Sequence, residues 1–318
     1  MKKVQKLSLQ WLKRVTFKHN HSAFTDLIEF KTNLWLCFRE ATNHISGDGK
    51  IVVLQLRADG SVISRYALNL PGADLRDPKL SVTPMGELLL LAYARFTDND
   101  NRTLRTDNVA WTSQSGLSWS SPISLGPNTW WLWRIRWDTQ NNQAFGLAYN
   151  RRANRIDLYA GNPKRHMQRV YPGVLSLSKH GLGYPNESDL HIADDGQLHA
   201  LVRRDADSFH AMLGTARAPY THWHWRDLGC YIGGPVWFAL DKKNFIVAGR
   251  TWNGKTMITR LWQLNIDTAR LLPLLDLPSG GDNSYPGLVV RGHTLYVSYY
   301  SSHHDNCSEI YLAALTLE

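Results

Sequence analysis

A hairpin that recurs six times, an abundance of aromatic residues and the lack of any long amphipathic helical pattern together predict an all-β chain. The expected architecture is a six-bladed β-propeller with four-stranded antiparallel blades, its N-terminal strand closing the last blade. The hairpin returns about every fifty residues, the spacing of propeller blades. The chain carries 13 Trp and 13 Tyr in 318 residues, types that suit pleated sheets and that also stack on sugar rings.

Each hairpin reads as a strand, a short polar turn, and a strongly apolar strand with polar residues at its end. The six copies run from Phe24 to Glu40, Arg76 to Arg95, Trp133 to Arg151, Glu187 to Arg204, Gly233 to Arg250, and Ser284 to Ser302. Further strands fill the gaps. Ile51 to Tyr66 reads as strand, Asp-Gly turn, strand, and comparable pairs follow the later hairpins. The sixth hairpin is followed by one strand only, Glu309 to Glu318. The stretch from Trp11 to Lys18 is expected to supply the missing outer strand and so remove an open sheet edge. No linker or low-complexity stretch divides the chain, so residues 1–318 are read as one propeller domain.

Composition narrows the function. The formal net charge of +9 favours anionic partners, but Lys and Arg are dispersed instead of gathered in runs, which argues against nucleic acid. Three distant cysteines, Cys37, Cys230 and Cys307, imply neither a disulfide framework nor a metal-ligand spacing. The segment from Met1 to Phe17 has lysines but no continuous apolar run of a secretory signal, and no stretch is long and apolar enough for a membrane span. The expectation is a cytoplasmic protein with no membrane partner and no cofactor. The pairs His19 and His21, His222 and His224, and His303 and His304 lack acidic or Cys neighbours at metal-site spacing, so no metal is expected.

Propeller geometry supplies candidate site residues, because matching ends of the innermost hairpins meet at the funnel mouth. The strand starts bring Asp26, Arg76, Asp77, Glu187, Ser188 and Tyr285. The strand ends bring Arg39, Glu40, Arg95, Arg151, Arg203, Arg204, Arg250 and Tyr300. Apolar strands have no packing need for such ends, and Arg suits bidentate recognition of a carboxylate. Arg203 and Arg204 point to opposite faces of one strand, so one of them faces the axis. His44, in a polar loop, is a candidate for the mouth.

Several stretches carry a family resemblance. Thr112 to Trp119 resembles the Asp-box turn, Ser-x-Asp-x-Gly-x-Thr-Trp, with Gln114 in place of Asp, and Thr215 to Trp223 is a weaker copy. Leu34 to Gly60, Pro185 to Asp205, and Ser284 to Ser302 are similar to the first, a middle and the last blades of the sialidase-like (neuraminidase, BNR-repeat) propellers, and the chain resembles a divergent bacterial-type member. The resemblance implies Tyr285 as nucleophile with Glu187 as its partner. It implies Arg203 and Arg250 on a sugar carboxylate, and an Asp as acid/base. The family's first-blade Phe-Arg-Ile-Pro motif is here Phe24-Thr25-Asp26-Leu27, without the Arg, and Arg39 is the nearest substitute.

The expected function is therefore a glycoside hydrolase that cleaves a terminal sialic acid or other carboxylated sugar of a glycan. Tyr285, Glu187, Asp77 and Glu40 are its catalytic candidates, with Asp77, Asp48 or Glu40 as acid. Arg39, His44, Arg76, Arg203, Arg250 and Asp26 are its substrate-binding candidates. Two alternatives stay open. One is a two-carboxylate glycosidase built from Asp26, Glu40, Asp77 and Glu187. The other is a non-catalytic carbohydrate-binding or protein-interaction propeller, since fold does not dictate function.

Overall fold

The computed structural model describes residues 6–17 and 21–318. They form six four-stranded antiparallel sheets arranged as a ring of blades, a six-bladed β-propeller with a single helical turn, α1 (Leu177–His180). The first blade is β2 (His21–Phe30), β3 (Asn33–Ala41), β4 (Lys50–Leu56) and β5 (Val62–Leu68), in that order from the axis outward. The second is β6 (Ala73–Val82), β7 (Leu88–Thr97), β8 (Thr103–Ser113) and the short β9 (Ile123–Ser124). The third is β10 (Trp131–Asp138), β11 (Gln143–Asn150), β12 (Arg155–Asn162) and β13 (His166–Ser176). The fourth is β14 (Pro185–Ile192), β15 (Leu198–Arg204), β16 (Met212–Ala216) and β17 (His224–Asp227). The fifth is β18 (Gly233–Ala239), β19 (Asn244–Trp252), β20 (Met257–Asn265) and β21 (Arg270–Leu277).

The sixth blade takes β22 (Asn283–Arg291), β23 (Thr294–Ser301) and β24 (Glu309–Leu317) from the C-terminus and its outer strand, β1 (Leu7–Arg14), from the N-terminus. Leu7 pairs with Leu317 and Arg14 with Tyr311, so one antiparallel ladder joins the two ends of the ring. The strand begins four residues before the expected Trp11 and ends at Arg14; Lys18 lies outside the described residues.

The burial pattern follows from stacking one blade on the next. The second strand of each blade is covered on both faces, so its side chains are almost all buried, as in Leu34 to Ala41 and Leu88 to Ala94. Such strands read as continuous apolar runs instead of alternating ones. Outer strands such as β5 expose every other position or more. Both stretches that resembled one turn make the same bond: Trp119 Nε1 donates to the Gly116 carbonyl at 3.0 Å and Trp223 Nε1 to the Tyr220 carbonyl at 3.0 Å. Gly116 and Tyr220 both have positive φ, 81° and 63°.

Around the axis, all six inner strands carry the same irregularity. Between Ala23 and Asp26, Arg76 and Lys79, Leu132 and Ile135, Pro185 and Ser188, Gly233 and Val236, and Ser284 and Gly287, the inner strand has one residue more than its partner. A one-residue bulge bends the strand and re-aims a side chain. Here the bulged residues include Phe24, Asp77, Trp133, Glu187, Gly234 and Tyr285, brought from six distant places to one level. Phe24 (φ 60°), Asp77 (φ 46°) and Tyr285 (φ 49°) hold the left-handed conformation that ordinarily favours glycine, which costs on the order of 1–3 kcal/mol each.

Beyond the bulges the axis is crossed by ion pairs built on two buried carboxylates, Asp26 and Asp189. Arg134 Nη1 and Nη2 hold Asp26 at 2.9 and 3.0 Å, Arg136 makes a bidentate pair with Asp189 at 2.8 and 2.6 Å, and Arg134 Nε lies 3.7 Å from Asp189. Asp26 also accepts from the Leu80 N–H and Asp189 from the Trp237 N–H. Five blades are tied together by these two carboxylates. First and sixth blades approach closely at Gly287, where an added Cβ would lie 2.1 Å from the Leu27 backbone nitrogen. Gly287→Ala is therefore expected to cost about 1–3 kcal/mol or more of stability, read as a lower denaturant midpoint, because backbone and not a flexible side chain blocks the methyl.

Candidate functional site

The bulges floor a concavity of about 330 Å³ at one end of the axis. The first blade lines it with Phe24, His44 and Ile45, the second with Arg76, Asp77 and Arg95, and the third with Trp131, Trp133, Tyr149 and Arg151. Glu187 and Tyr285 come from the fourth and sixth. A larger groove of about 450 Å³ lies between the fourth and fifth blades, but solvated loop residues such as Asp194, Lys242 and Lys243 form much of its wall. The smaller concavity gathers the buried reactive groups, and the site is placed there.

Tyr285, Glu187 and Arg203 meet at its floor. The Tyr285 hydroxyl donates to Glu187 Oε1 at 2.6 Å, and Arg203 Nη1 donates to the same hydroxyl oxygen at 3.0 Å and lies 2.7 Å from Glu187 Oε1. The Gly234 N–H donates to Glu187 Oε2 at 2.7 Å. Gly234 is glycine for a reason: φ is 58°, and a Cβ would sit 2.8 Å from the Tyr285 ring. Phe24 packs edge-on against Tyr285 at 5.1 Å between centroids, Trp133 lies at 5.9 Å, and the Arg250 guanidinium stands 5.5 Å from the ring centroid.

The electrostatics separate these groups. Burial pushes the Glu187 carboxyl up, but the Arg203 charge, the hydrogen bonds from Arg203 and Tyr285, and the Arg250 charge outweigh it and hold it below its ordinary range. Burial and the Glu187 charge push the Tyr285 phenol well up, against the pull of Arg203 and Arg250. The result is a neutral phenol hydrogen-bonded to an ionised carboxylate. Asp77 differs: burial drives it up, Lys79 and Arg76 oppose, Glu187 reinforces, and it stands at about 6. Its Oδ1 is buried with no hydrogen-bond partner among the described residues. Two carboxyls in one pocket are thus held in different protonation ranges near neutral pH.

The other sequence candidates differ in what they face. Arg76 and His44 line the pocket, with Arg76 bonded to Asp74 at 3.1 Å and to the His44 carbonyl at 3.2 Å. Arg250 reaches Asp282 at 3.7 Å, and its Nε is buried without a partner. Arg39 is fully buried and works as a positioning residue. It bonds Asp74 at 2.9 Å and holds the carbonyls of Asn43 and Ser46, which bracket His44.

Glu40, Asp26 and Asp48 point elsewhere, and the expectation that they face the pocket is corrected. The Glu40 carboxylate is held by Lys50 and Arg65, each at 3.0 Å, on the neighbouring strands of its own blade. Asp26 lies two residues past the Phe24 bulge and is consumed by Arg134. Asp48 caps the loop at Thr42 and, despite some burial, is lowered to about 2 by hydrogen bonds from Ser46 and Thr42. Of the strand pair, Arg203 faces Tyr285, while Arg204 bonds the Gly183 carbonyl and Asp207.

Sequence reasoning missed Trp131, Trp133, Tyr149 and Asp282. Trp131 stacks between Tyr93 (centroids 3.9 Å, planes 5° apart) and Tyr149 (5.6 Å, 15°), which builds an aromatic wall on the pocket. The third hairpin's aromatic start was the available signal. Asp282 accepts from Tyr300 Oη at 2.7 Å and pairs with His44 Nδ1 at 2.7 Å and His21 Nε2 at 3.2 Å. His19, the other member of the predicted pair, lies outside the described residues.

No protein-family profile matches the sequence, and a search of curated proteins finds no match. Solved structures do match over nearly the whole chain. A Dyadobacter fermentans protein of unknown function superposes with a TM-score of 0.81 at 16% identity, covering 99% of both chains. A Penicillium chrysogenum α-L-arabinanase, solved with arabinobiose, gives 0.72 at 14% identity, again over 99% of both. A Streptococcus pneumoniae sialidase gives 0.69 at 11% identity, over 96% of this chain and 70% of that one. At these identities the likeness establishes the propeller fold. No helix of the described residues is long and apolar enough to cross a membrane.

The Asp77 environment has a measurable consequence. A carboxyl whose folded pKa is raised binds its proton more tightly in the folded state, so its favourable contribution is lost as pH rises from 3.8 towards 6. Relative to Asp77→Asn, the wild type is expected to lose up to about 3 kcal/mol of unfolding free energy between roughly pH 4 and 7. Parallel pH profiles for the two proteins, measured by urea denaturation, would show Asp77 to be an ordinary carboxylate.

Proposed function

We propose that this chain is a glycoside hydrolase that removes a terminal sialic acid or other carboxylated sugar through a covalent tyrosyl intermediate. The observation that carries the reading is the buried Tyr285 hydroxyl, bonded to an ionised Glu187 and to Arg203 at the floor of a pocket. In the first step the Tyr285 oxygen attacks the anomeric carbon while Glu187 takes its proton. The glycosidic C–O bond breaks, and the leaving oxygen takes the proton of Asp77. In the second step Asp77 draws a proton from water, whose oxygen attacks the anomeric carbon. The tyrosyl–sugar bond breaks, and the phenolate recovers its proton from Glu187.

A free phenol is a weak nucleophile near neutral pH, and an adjacent base is what activates it. A neutral nucleophile suits a sugar whose carboxylate would repel an anionic one; tyrosine-based sialidases depart from the usual two-carboxylate scheme for glycosidases. Asp77, at about 6, has the range a general acid needs. On this reading Arg250, beside the Tyr285 ring, and Arg151, which lines the pocket and has no carboxylate partner among the described residues, bind the substrate carboxylate. The Trp131 wall offers a face for a sugar ring.

The second reading is a binding funnel without chemistry. The observation in its favour is the first-blade stretch Phe24-Thr25-Asp26-Leu27, in which Thr25 stands where the sialidase-like motif carries an arginine.

A panel of aryl glycosides with sialic and uronic acid members tests both. Release of a carboxylated sugar is expected from the wild type and not from Tyr285→Phe, with Glu187→Gln slower by roughly 10²- to 10⁴-fold. Full activity in Tyr285→Phe would remove the tyrosine route and leave the two-carboxylate scheme. Binding of a sugar without turnover of any panel member would favour the second reading. In the active enzyme kcat/KM is expected to fall as pH rises through about 6, where Asp77 of the free protein loses its proton, and Asp77→Asn should lack that limb.

A further inference from the structure

We propose that His21, His44 and Asp282 form a binding site for a divalent first-row transition ion of the zinc class, on the rim of the funnel. The three residues come from the first residue of β2, the loop between β3 and β4, and the segment just before β22. Nothing in the sequence joins them, since Asp282 lies more than two hundred positions from either histidine. In the fold, one ligand atom from each falls within 4.8 Å of the others. His44 Nδ1 stands 2.7 Å and His21 Nε2 3.2 Å from the same oxygen, Asp282 Oδ2.

Those spacings match what an ion would need. Ligands at about 2.0–2.2 Å from a tetrahedral centre stand roughly 3.4 Å from one another, so the two imidazole–carboxylate spacings need only sub-ångström shifts, and the two imidazole nitrogens, within 4.8 Å of each other, need to close by at most about 1.5 Å. Two imidazoles and one carboxylate favour zinc-class ions over calcium or magnesium, which prefer oxygen-only shells.

The ligands are also held from behind, as metal ligands commonly are. Tyr300, with no exposed surface, donates to the other Asp282 oxygen at 2.7 Å. Arg39 fixes the carbonyls on either side of His44. The His21 and His44 rings meet edge to face at 5.2 Å, and both contact Phe24. Arg250, 3.7 Å from Asp282 Oδ1, places a cation on the far side of the carboxylate and weakens the site without occupying it. Three protein ligands leave a coordination position for an outside oxygen. His44 lines the pocket, so that oxygen would belong to water or to the molecule bound there.

The test is calorimetric titration of tag-free, chelator-stripped protein with Zn²⁺, with Ca²⁺ as the control. Saturable binding of one Zn²⁺ per chain and none of Ca²⁺ is expected. His44→Gln changes a half-exposed side chain and is expected to abolish the binding, with an unaltered melting midpoint of the metal-free protein showing that the fold survives. Tyr300→Phe keeps all three ligands and should weaken binding by about 10- to 100-fold. A Zn²⁺-dependent rise in melting midpoint should accompany binding in the wild type and vanish in His44→Gln. Absence of a saturable Zn²⁺ site in the wild type, or equal affinity in wild type and His44→Gln, overturns the proposal. Each readout is binding and not turnover, so it stands apart from the hydrolase reading.

Discussion

Six strands converge on one axis, and the crowding there sets the terms for the rest of the molecule. Backbones meet so closely that Gly287 leaves no room for a methyl against Leu27. Charged groups brought into that space must be paired, because an unpaired buried charge costs several kcal/mol. Arg134 and Arg136 do this with Asp26 and Asp189, and the same carboxylates accept backbone N–H groups from two further blades. The ladder between the two chain ends then closes the ring without an open edge.

Convergence also explains where the pocket lies. A regular strand would carry its side chains alternately to either face, leaving no common floor. The bulge repeated in all six inner strands turns one residue of each towards the axis at a shared level. Strained conformations at Phe24, Asp77 and Tyr285 are part of that arrangement. The blades contribute unequally: an aromatic wall from the third, arginines from the second, and a carboxylate–phenol pair from the fourth and sixth. Burial alone would push every carboxyl upward. The separation of Glu187 from Asp77 arises because Arg203 touches one and leaves the other.

The repeat was legible because burial of a strand on both faces forces an apolar run, and such runs ended by polar residues stand out at fifty-residue intervals. All six predicted hairpins correspond to inner strand pairs. Much of the site was legible for the same reason, since strand ends in a ring must meet: Tyr285, Glu187, Asp77, Arg203 and Arg76 were expected at the mouth from their position in the repeat, and His44 from its polar loop. The failures have one cause. Glu40, Asp26 and Asp48 lie within a few residues of pocket positions, yet strand alternation at Glu40, the bulge before Asp26 and the loop turn at Asp48 direct each side chain away from the pocket. Glu40 therefore meets Lys50 and Arg65, and Asp26 meets Arg134.

The sequence by itself determined the number of blades, the order of the strands, the closure by the N-terminal segment and the chemical character of the funnel. These depend on local periodicity and on residue type. Tertiary structure alone decided which charges face each other: Arg203 with Tyr285 and Glu187, Arg39 with Asp74, and His21 and His44 with Asp282. Such pairings join residues from different blades or across turns. Their partners are selected by bulge register and ångström-scale distance, neither of which leaves a periodic trace along the chain.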